Sequence, residues 1–393
     1  MKYRKFGKLD YKVSALGFGA MRLPTIEGKI DEPEAIKMLR FAIDKGVNYV
    51  DTAYRYHDGQ SEVLVGKALE EGYREKVLLA TKLPSWLVEK YSDFDQYLGE
   101  QLERLKTKAI DFYLLHTLNK NSWPKLKNLG ILDWAKEAEA KGLFQHLAFS
   151  FHDDLETFKE IVDAYHWPMC QIQYNFMDIK TQAGMEGLRY AANKGIAVVI
   201  MEPLLGGNLA EPPADIQLLW SESTACKTPV DGALQWLWNQ AEVSTVLSGM
   251  SSMDQVVANI DYAARSGIHT LNNDELLLIE KIREKYEALS VIPCTRCGYC
   301  MPCPQNVDIP QNFANYNNGI RYSCEKGSQD RYKFWKAAYE NHGMLKNDIR
   351  AASCIACGEC EIKCPQTIAI SKWMPIIHDI LDNEKPFIRK LDT

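Results

Sequence analysis

The sequence predicts an α/β fold: a (β/α)8 TIM barrel followed by a smaller, mainly helical domain rich in cysteine. Three observations predict it. Short apolar runs alternate with amphipathic segments from residue 10 to about 266, and eight strand–helix units over that length suit a barrel. Helical stretches end at glycine in Lys45-Gly46, Lys141-Gly142, Lys194-Gly195 and Ser266-Gly267, where a left-handed residue commonly stops a helix. Nine of the eleven cysteines then fall between Cys294 and Cys364, beyond the repeating part. At 393 residues the chain has room for both parts.

Residues 3–6 and 11–13 read as a hairpin that closes the barrel floor. The strands expected next cover 14–18, 48–51, 77–81, 110–115, 146–149, 169–173, 197–201 and 243–247. The helices between and after them cover 32–45, 61–70, 92–105, 132–141, 154–163, 182–194, 229–239 and 253–266. In the first helix Ile36, Leu39 and Ile43 recur three or four residues apart, the helical period. A doubly wound open sheet is the rival fold. However, Leu16-Gly17-Phe18-Gly19-Ala20 lacks the third glycine of the dinucleotide fingerprint. A charged helix over 274–286 links the two parts, so the expected domains are 1–285 and 286–393. The stretch 309–349, between two groups of cysteines, reads as helical.

Composition narrows the function classes. The formal net charge is −6 with no long basic run, which argues against a nucleic-acid partner held by phosphate neutralisation. The first nineteen residues are broken by charge and hold no apolar core for a signal peptide. Nowhere do eighteen apolar residues run together. A cytoplasmic chain with no membrane partner is expected, in which clustered cysteines are metal ligands rather than disulfides.

The first group reads Cys294-x2-Cys297-x2-Cys300-x2-Cys303-Pro304, and the second Cys354-x2-Cys357-x2-Cys360-x3-Cys364-Pro365. Three cysteines two residues apart, then a fourth followed by proline, form the pattern of two-cluster iron–sulfur domains, where the fourth cysteine ligates the other cluster. That assigns one 4Fe-4S cluster to Cys294, Cys297, Cys300 and Cys364, and the other to Cys354, Cys357, Cys360 and Cys303. A pair of zinc sites is the alternative, but zinc motifs separate two Cys-x2-Cys knuckles by a longer gap. The first group has two residues before its last cysteine where the second has three. Gly298 and Gly358 stand where the backbone must turn tightly. Cys324 reads as a buried small hydrophobe.

Within the barrel, Asp51 ends the second expected strand and Tyr56 lies five residues on. Lys82 and His116 follow the third and fourth strands. These strand ends share the face on which barrel enzymes build active sites. With Asp51-Thr52-Ala53-x-x-Tyr56, Thr81-Lys82 and Leu115-His116 in this order, the chain resembles the aldo-keto reductase superfamily over residues 1 to about 265. The cysteine-rich tail narrows the resemblance to the branch with a ferredoxin-like domain. Hydride addition to a carbonyl carbon leaves charge on oxygen, which a proton donor must meet. Tyr56 is the expected acid, with Lys82 lowering its pKa from near 10. Asp51 holds Lys82, and His116 donates a hydrogen bond to the carbonyl oxygen.

The resemblance also implies a nicotinamide cofactor, NADP or NAD, across the later strands. It assigns Ser150 and Gln171 to the carboxamide and puts Met201 where many members stack an aromatic. Leu204, Gly206 and Gly207 offer backbone amides for pyrophosphate. Gly249, Ser251, Gln255 and Asn259 lie around the adenosine end, at a helix N-terminus suited to phosphate. Phe151 replaces the family's usual asparagine and Gln255 its usual arginine, and no Lys or Arg lies between Ser248 and Asn259. Trp86 and Trp123 either line the substrate pocket or anchor loops. The expected function is an oxidoreductase acting on a small carbonyl or alcohol, with two clusters for electron transfer and a ferredoxin or other redox partner. Hydride carriers move two electrons and each cluster one, yet no clear flavin signature is present. The contrasting reading is a non-enzymatic, flavin- or ferredoxin-linked electron-transfer subunit whose barrel is a docking module, against which the four polar residues stand.

Overall fold

The computed structural model describes residues 1–340 and 345–391. Strands β1 (Tyr3–Phe6) and β2 (Leu9–Ser14) pair as an antiparallel hairpin. Phe6 and Val13 from it join Tyr49, Phe112 and Met169 in an apolar cluster that fills the inside of the barrel. After β3 (Leu16–Gly19) comes a short two-stranded ribbon of β4 (Thr25–Ile26) with β5 (Lys29–Ile30). The remaining strands are β6 (Tyr49–Asp51), β7 (Leu78–Leu83), β8 (Ile110–Leu118), β9 (Phe144–Phe151), β10 (Met169–Gln173), β11 (Ala197–Met201) and β12 (Val243–Gly249).

Among the described residues, eight parallel strands close into a barrel: β3 and β6 through β12, in chain order. Closure is by β12 onto β3, with Val246 opposite Leu16 and Gly249 opposite Gly19. These strands are buried on both faces, which is why they read as continuous apolar runs such as Ala197–Met201. All eight expected strands form, the sixth and seventh with the expected bounds.

The helices in this part are α1 (Glu32–Asp44), α2 (Gln60–Ala68), α3 (Ser92–Arg104), α4 (Ser122–Asn128), α5 (Ile131–Ala140), α6 (Leu155–Ala164) and α7 (Gly184–Asn193). Next come α8 (Ala214–Trp220), α9 (Pro229–Trp238) and α10 (Met253–Ala264). Side-chain caps start several of them. Asp31, Asp154, Thr228 and Ser252 accept from backbone N–H groups in the first turns of α1, α6, α9 and α10. Gly46, Gly142 and Gly195 take left-handed φ values of 95°, 71° and 75° as expected at helix ends. Gly267 does not; α10 ends at Ala264 and the left-handed residue there is His269. In α1 the core-facing residues are Ala35, Met38, Leu39, Ala42 and Ile43, whereas Ile36 is only partly buried.

Contacts divide the chain into two units. One is Met1–Gly206 with Thr224–Leu276, and the other is Gly207–Ser223 with the chain from Leu277 onward. Helix α11 (Asn273–Ala288) spans the division. The second unit continues with α12 (Ile309–Arg321), α13 (Glu325–Glu340), α14 (Glu359–Ile362) and α15 (Ile370–Asp382). Its own core gathers Ile292, Phe313, Tyr316, Tyr332, Trp373, Met374 and Ile377. The helical expectation for 309–349 is met by α12 and α13; residues 341–344 lie outside the described residues. No described helix is long and apolar enough to cross a membrane.

Candidate functional site

Parallel closure puts the C-terminal ends of β6, β7 and β8 on one rim, and the expected polar residues meet there. Lys82 Nζ donates to Asp51 Oδ1 at 2.6 Å, to the Thr52 carbonyl at 2.8 Å and to the Tyr56 hydroxyl at 3.3 Å. Lys82 is fully buried and Asp51 is 2% exposed, so this ion pair works in a low dielectric. Tyr56 and His116 lie with ring centroids 6.1 Å apart, and Trp86 lies 5.2 Å from His116. Thus all four residues gather, and Trp86 is beside them. Trp123 is not; it is buried in α4 against Trp167 and anchors that segment.

The electrostatics follow from burial. Burial works against the Lys82 ammonium, but Asp51 and Tyr56 outweigh it and raise the pKa, keeping Lys82 charged. Burial pushes the Asp51 carboxyl up while Lys82 pulls it down. Burial also pushes the Tyr56 hydroxyl above its usual value, against the pull of Lys82 and with a push from Asp51 and Glu202. The sequence predicts a lowered pKa for Tyr56. Lys82 acts in that direction, but desolvation outweighs it. His116 is held well below its usual value, first by burial and then by Lys82 and His152, so its ring is neutral at neutral pH. Its Nδ1 is buried with no hydrogen-bond partner among the described residues.

A second layer, not legible in the sequence, fixes the strand that carries Lys82. The buried Glu62 carboxylate accepts from Thr81 Oγ1 and Gln101 Nε2, both at 2.6 Å. Gln101 Nε2 also donates to the Lys82 carbonyl at 3.1 Å. Arg104 pairs with Glu62 Oε2 at 3.2 Å. Packing of α2 and α3 behind β7 brings these residues together.

On the cofactor side, Ser150 and Gln171 are neighbours across the β9–β10 pairing. The Ser150 hydroxyl oxygen accepts from Thr117 N at 2.8 Å, which leaves its O–H free to donate. Gln171 Nε2 lies 3.7 Å from Met201 Sδ, and Gln171 Oε1 is a buried acceptor with no partner among the described residues. A buried orphan acceptor beside a serine hydroxyl fits a primary carboxamide, which brings both donors and an acceptor. Phe151, at the family's usual asparagine position, is fully buried against Phe158 and brings no polar group there. His152 is next; burial holds its pKa at about 4.

Further along the rim, Glu202 takes a left-handed φ of 54°, and its carbonyl accepts from Asn175 Nδ2 at 3.2 Å. Leu204 is half-buried, while Gly206 and Gly207 are exposed with φ values of 68° and 102°. By contacts Gly207 falls in the second unit and Gly206 in the first. Gly249 ends β12. Gln255 Oε1 accepts from Ser251 N at 2.8 Å, so both residues serve the α10 cap. Asn259 is buried and donates to Ser248 Oγ at 3.1 Å.

In the second unit the two cysteine motifs share one backbone course. Arg296 and Ala356, each before the second cysteine, have φ of 57° and 55°. Gly298 and Gly358, each after it, have 77° and 78°. Past the fourth cysteine, Asn306 and Thr367 have φ of 61° and 51°, and their N–H groups donate back to the carbonyls of Cys303 and Cys364. Cys303 and Cys364 are therefore equivalent despite their different spacers. One cavity is lined by Cys294, Cys297, Cys300 and Cys364. Another is lined by Cys303, Cys354, Cys357 and Cys360, together with Cys300. Among the described residues, no three of His, Cys, Asp and Glu gather as they would around one metal ion. Cys324 lines neither cavity and is half-buried rather than buried.

The fold and the rim define a barrel oxidoreductase, and comparison with known proteins agrees. The model of the Aldo/keto reductase family matches residues 15–284, and that of a 4Fe-4S dicluster domain matches 293–369. The chain belongs to the aldo/keto reductase family, as an oxidoreductase with a C-terminal iron–sulfur domain. It is 28% identical over 303 residues to L-galactose dehydrogenase of Arabidopsis thaliana, covering 71% of this chain and 93% of that protein. It is 25% identical to the NADH-specific methylglyoxal reductase of Escherichia coli, covering 74% and 99%. An aldo-keto reductase from Bacillus halodurans, in its holo form, superposes with a TM-score of 0.60 at 28% identity, covering 72% and 96%.

Proposed function

We propose that this chain reduces a small carbonyl compound, or oxidises the matching alcohol, with a nicotinamide dinucleotide. The observation that carries this reading is the buried Lys82 ammonium that touches both Asp51, at 2.6 Å, and the Tyr56 hydroxyl, at 3.3 Å. Nicotinamide, when bound, supplies or takes the hydride. Ser150 and Gln171 hold its carboxamide, Gln171 through the buried acceptor left without a partner. Met201 lies beside Gln171 on the same side. The neutral His116 donates to the substrate carbonyl oxygen and orients it. As charge builds on that oxygen, Tyr56 gives up its proton, and Lys82 stabilises the phenolate left behind. A raised Tyr56 pKa keeps the hydroxyl protonated before reaction, as reduction requires.

In this reading the barrel over 1–285 carries the carbonyl chemistry and residues 286–393 hold two 4Fe-4S clusters. Cys294, Cys297, Cys300 and Cys364 hold one; Cys354, Cys357, Cys360 and Cys303 hold the other. The cysteines that line each cavity, in short runs closed by proline rather than in two separated Cys-x2-Cys knuckles, support a cubane over zinc. The clusters supply one-electron storage, for which a ferredoxin-type protein is the matching partner.

The test is consumption of NADPH and NADH with a panel of aldehydes by anaerobically purified protein and by Tyr56→Phe. Loss of about 100-fold or more in kcat is expected, the scale of general acid catalysis. Full turnover by Tyr56→Phe would remove tyrosine as the acid.

A further inference from the structure

We propose that Arg22 is the cation that grips the diphosphate of the dinucleotide, an inference resting on the nicotinamide reading above. The window Ser248–Asn259 contains no Lys or Arg, so a cation for phosphate must come from elsewhere in the chain. Arg22 lies three residues after Gly19, which pairs with Gly249 where β12 meets β3. Its side chain runs along Gly249: a Cβ on that glycine would meet Arg22 Cβ, Cγ and Cδ at 3.2, 3.3 and 3.4 Å. The guanidinium continues to the turn after β11, where Nη2 lies 3.1 Å from the place of a Cβ on Gly206. One exposed arginine thus bridges the two glycine segments that flank the expected course of the cofactor.

No carboxylate among the described residues pairs with Arg22, so its charge is not already neutralised. A guanidinium fork matches phosphate oxygens and holds two at once. The charged end reaches the Gly206 turn, with its unhindered backbone amides, while only methylenes lie along Gly249. This favours the diphosphate over a 2′-phosphate. The loop is also held in place. Leu23 N donates to His57 Nε2 at 3.1 Å. His57 and Asp58, directly after Tyr56, take left-handed φ values of 49° and 53°. The segment that carries the proposed acid therefore also positions the loop of Arg22.

The test is titration calorimetry on the full-length protein with NADH, NADPH and ADP, which carries a diphosphate but no nicotinamide. Arg22→Met keeps the unbranched apolar stem of the side chain and removes the guanidinium and its charge. Affinity for all three should fall about tenfold or more, as expected for loss of a charge-assisted hydrogen bond, with an unchanged circular dichroism spectrum. Arg22→Lys should fall between the two, and the variant should lose part of the salt dependence of binding. A loss confined to NADPH would overturn the diphosphate assignment. Unchanged affinity for all three would overturn a role for Arg22 and leave the nicotinamide reading standing. Arg22-dependent binding of ADP with no binding of either dinucleotide would overturn the nicotinamide reading alone. Binding of none of the three by the wild type would overturn both.

Discussion

Replacing Lys82 by methionine isolates the buried ion pair. The side-chain volume is nearly kept, but three hydrogen bonds at 2.6, 2.8 and 3.3 Å disappear. Asp51 is left 2% exposed with Oδ1 unpaired, while Oδ2 already lacks a partner among the described residues. Removing one member of a buried pair costs about 3–5 kcal/mol. A second route gives the same scale. The stranded carboxylate can escape by taking up a proton, and protonating an ordinary carboxyl at pH 7 costs about 4 kcal/mol. The sign of the pH dependence follows. In the variant the folded state holds a proton on Asp51 that the unfolded chain releases at pH 7. That stability is present at low pH and is lost as pH rises. The deficit relative to wild type should therefore shrink by about 1.4 kcal/mol per unit as pH falls from 7 toward 5.5. Guanidinium unfolding followed by circular dichroism at several pH values measures it. The double variant Lys82→Met/Asp51→Asn should regain much of the loss and show no such slope. A deficit below about 1 kcal/mol, or one independent of pH, would refute the buried-pair reasoning.

Three further outcomes are expected. Cys303→Ser and Cys364→Ser should each lower bound iron and bleach part of the cluster absorbance, whereas Cys324→Ser should match wild type; an intact iron content in Cys303→Ser would break the crossed ligation. His152, with a pKa of about 4 when folded, favours the neutral ring, so its stability is present above pH 6.5 and lost as pH falls toward 4. His152→Gln should remove about 3 kcal/mol of that acid sensitivity, and a wild-type slope in the variant would contradict it. Gln171→Ala should weaken dinucleotide binding about tenfold in calorimetry, since it removes the acceptor for the carboxamide; unchanged binding would place the carboxamide elsewhere.

Much of this was legible along the chain because the signals are local. The strands of the barrel are apolar runs of strand length, and Gly46, Gly142 and Gly195 mark helix ends through their own backbone conformations. Gly267 shows the limit, since helix α10 stops at Ala264, before the glycine. Asp51, Tyr56, Lys82 and His116 could be grouped before any coordinates because a barrel brings consecutive strand ends to one rim. The cysteine groups carry their spacing in plain view.

Other features depend on distance and burial, which no local pattern encodes. The Tyr56 pKa turns upward because desolvation outweighs the nearby ammonium. Phe151 and Trp123 are buried against Phe158 and Trp167, packing that the local sequence does not encode. Glu62 on α2 is far in sequence from Gln101 and Arg104 on α3, and they meet only behind Lys82. Arg22 joins Gly206 and Gly249 only when β12 closes onto β3. The sequence by itself determined the class of fold, the four rim residues and the two cysteine groups, because periodicity and spacing are properties of short stretches. Only the tertiary structure decided which charges are buried, which polar atoms lack partners and which cation reaches the glycine turns, because these depend on contacts made by barrel closure.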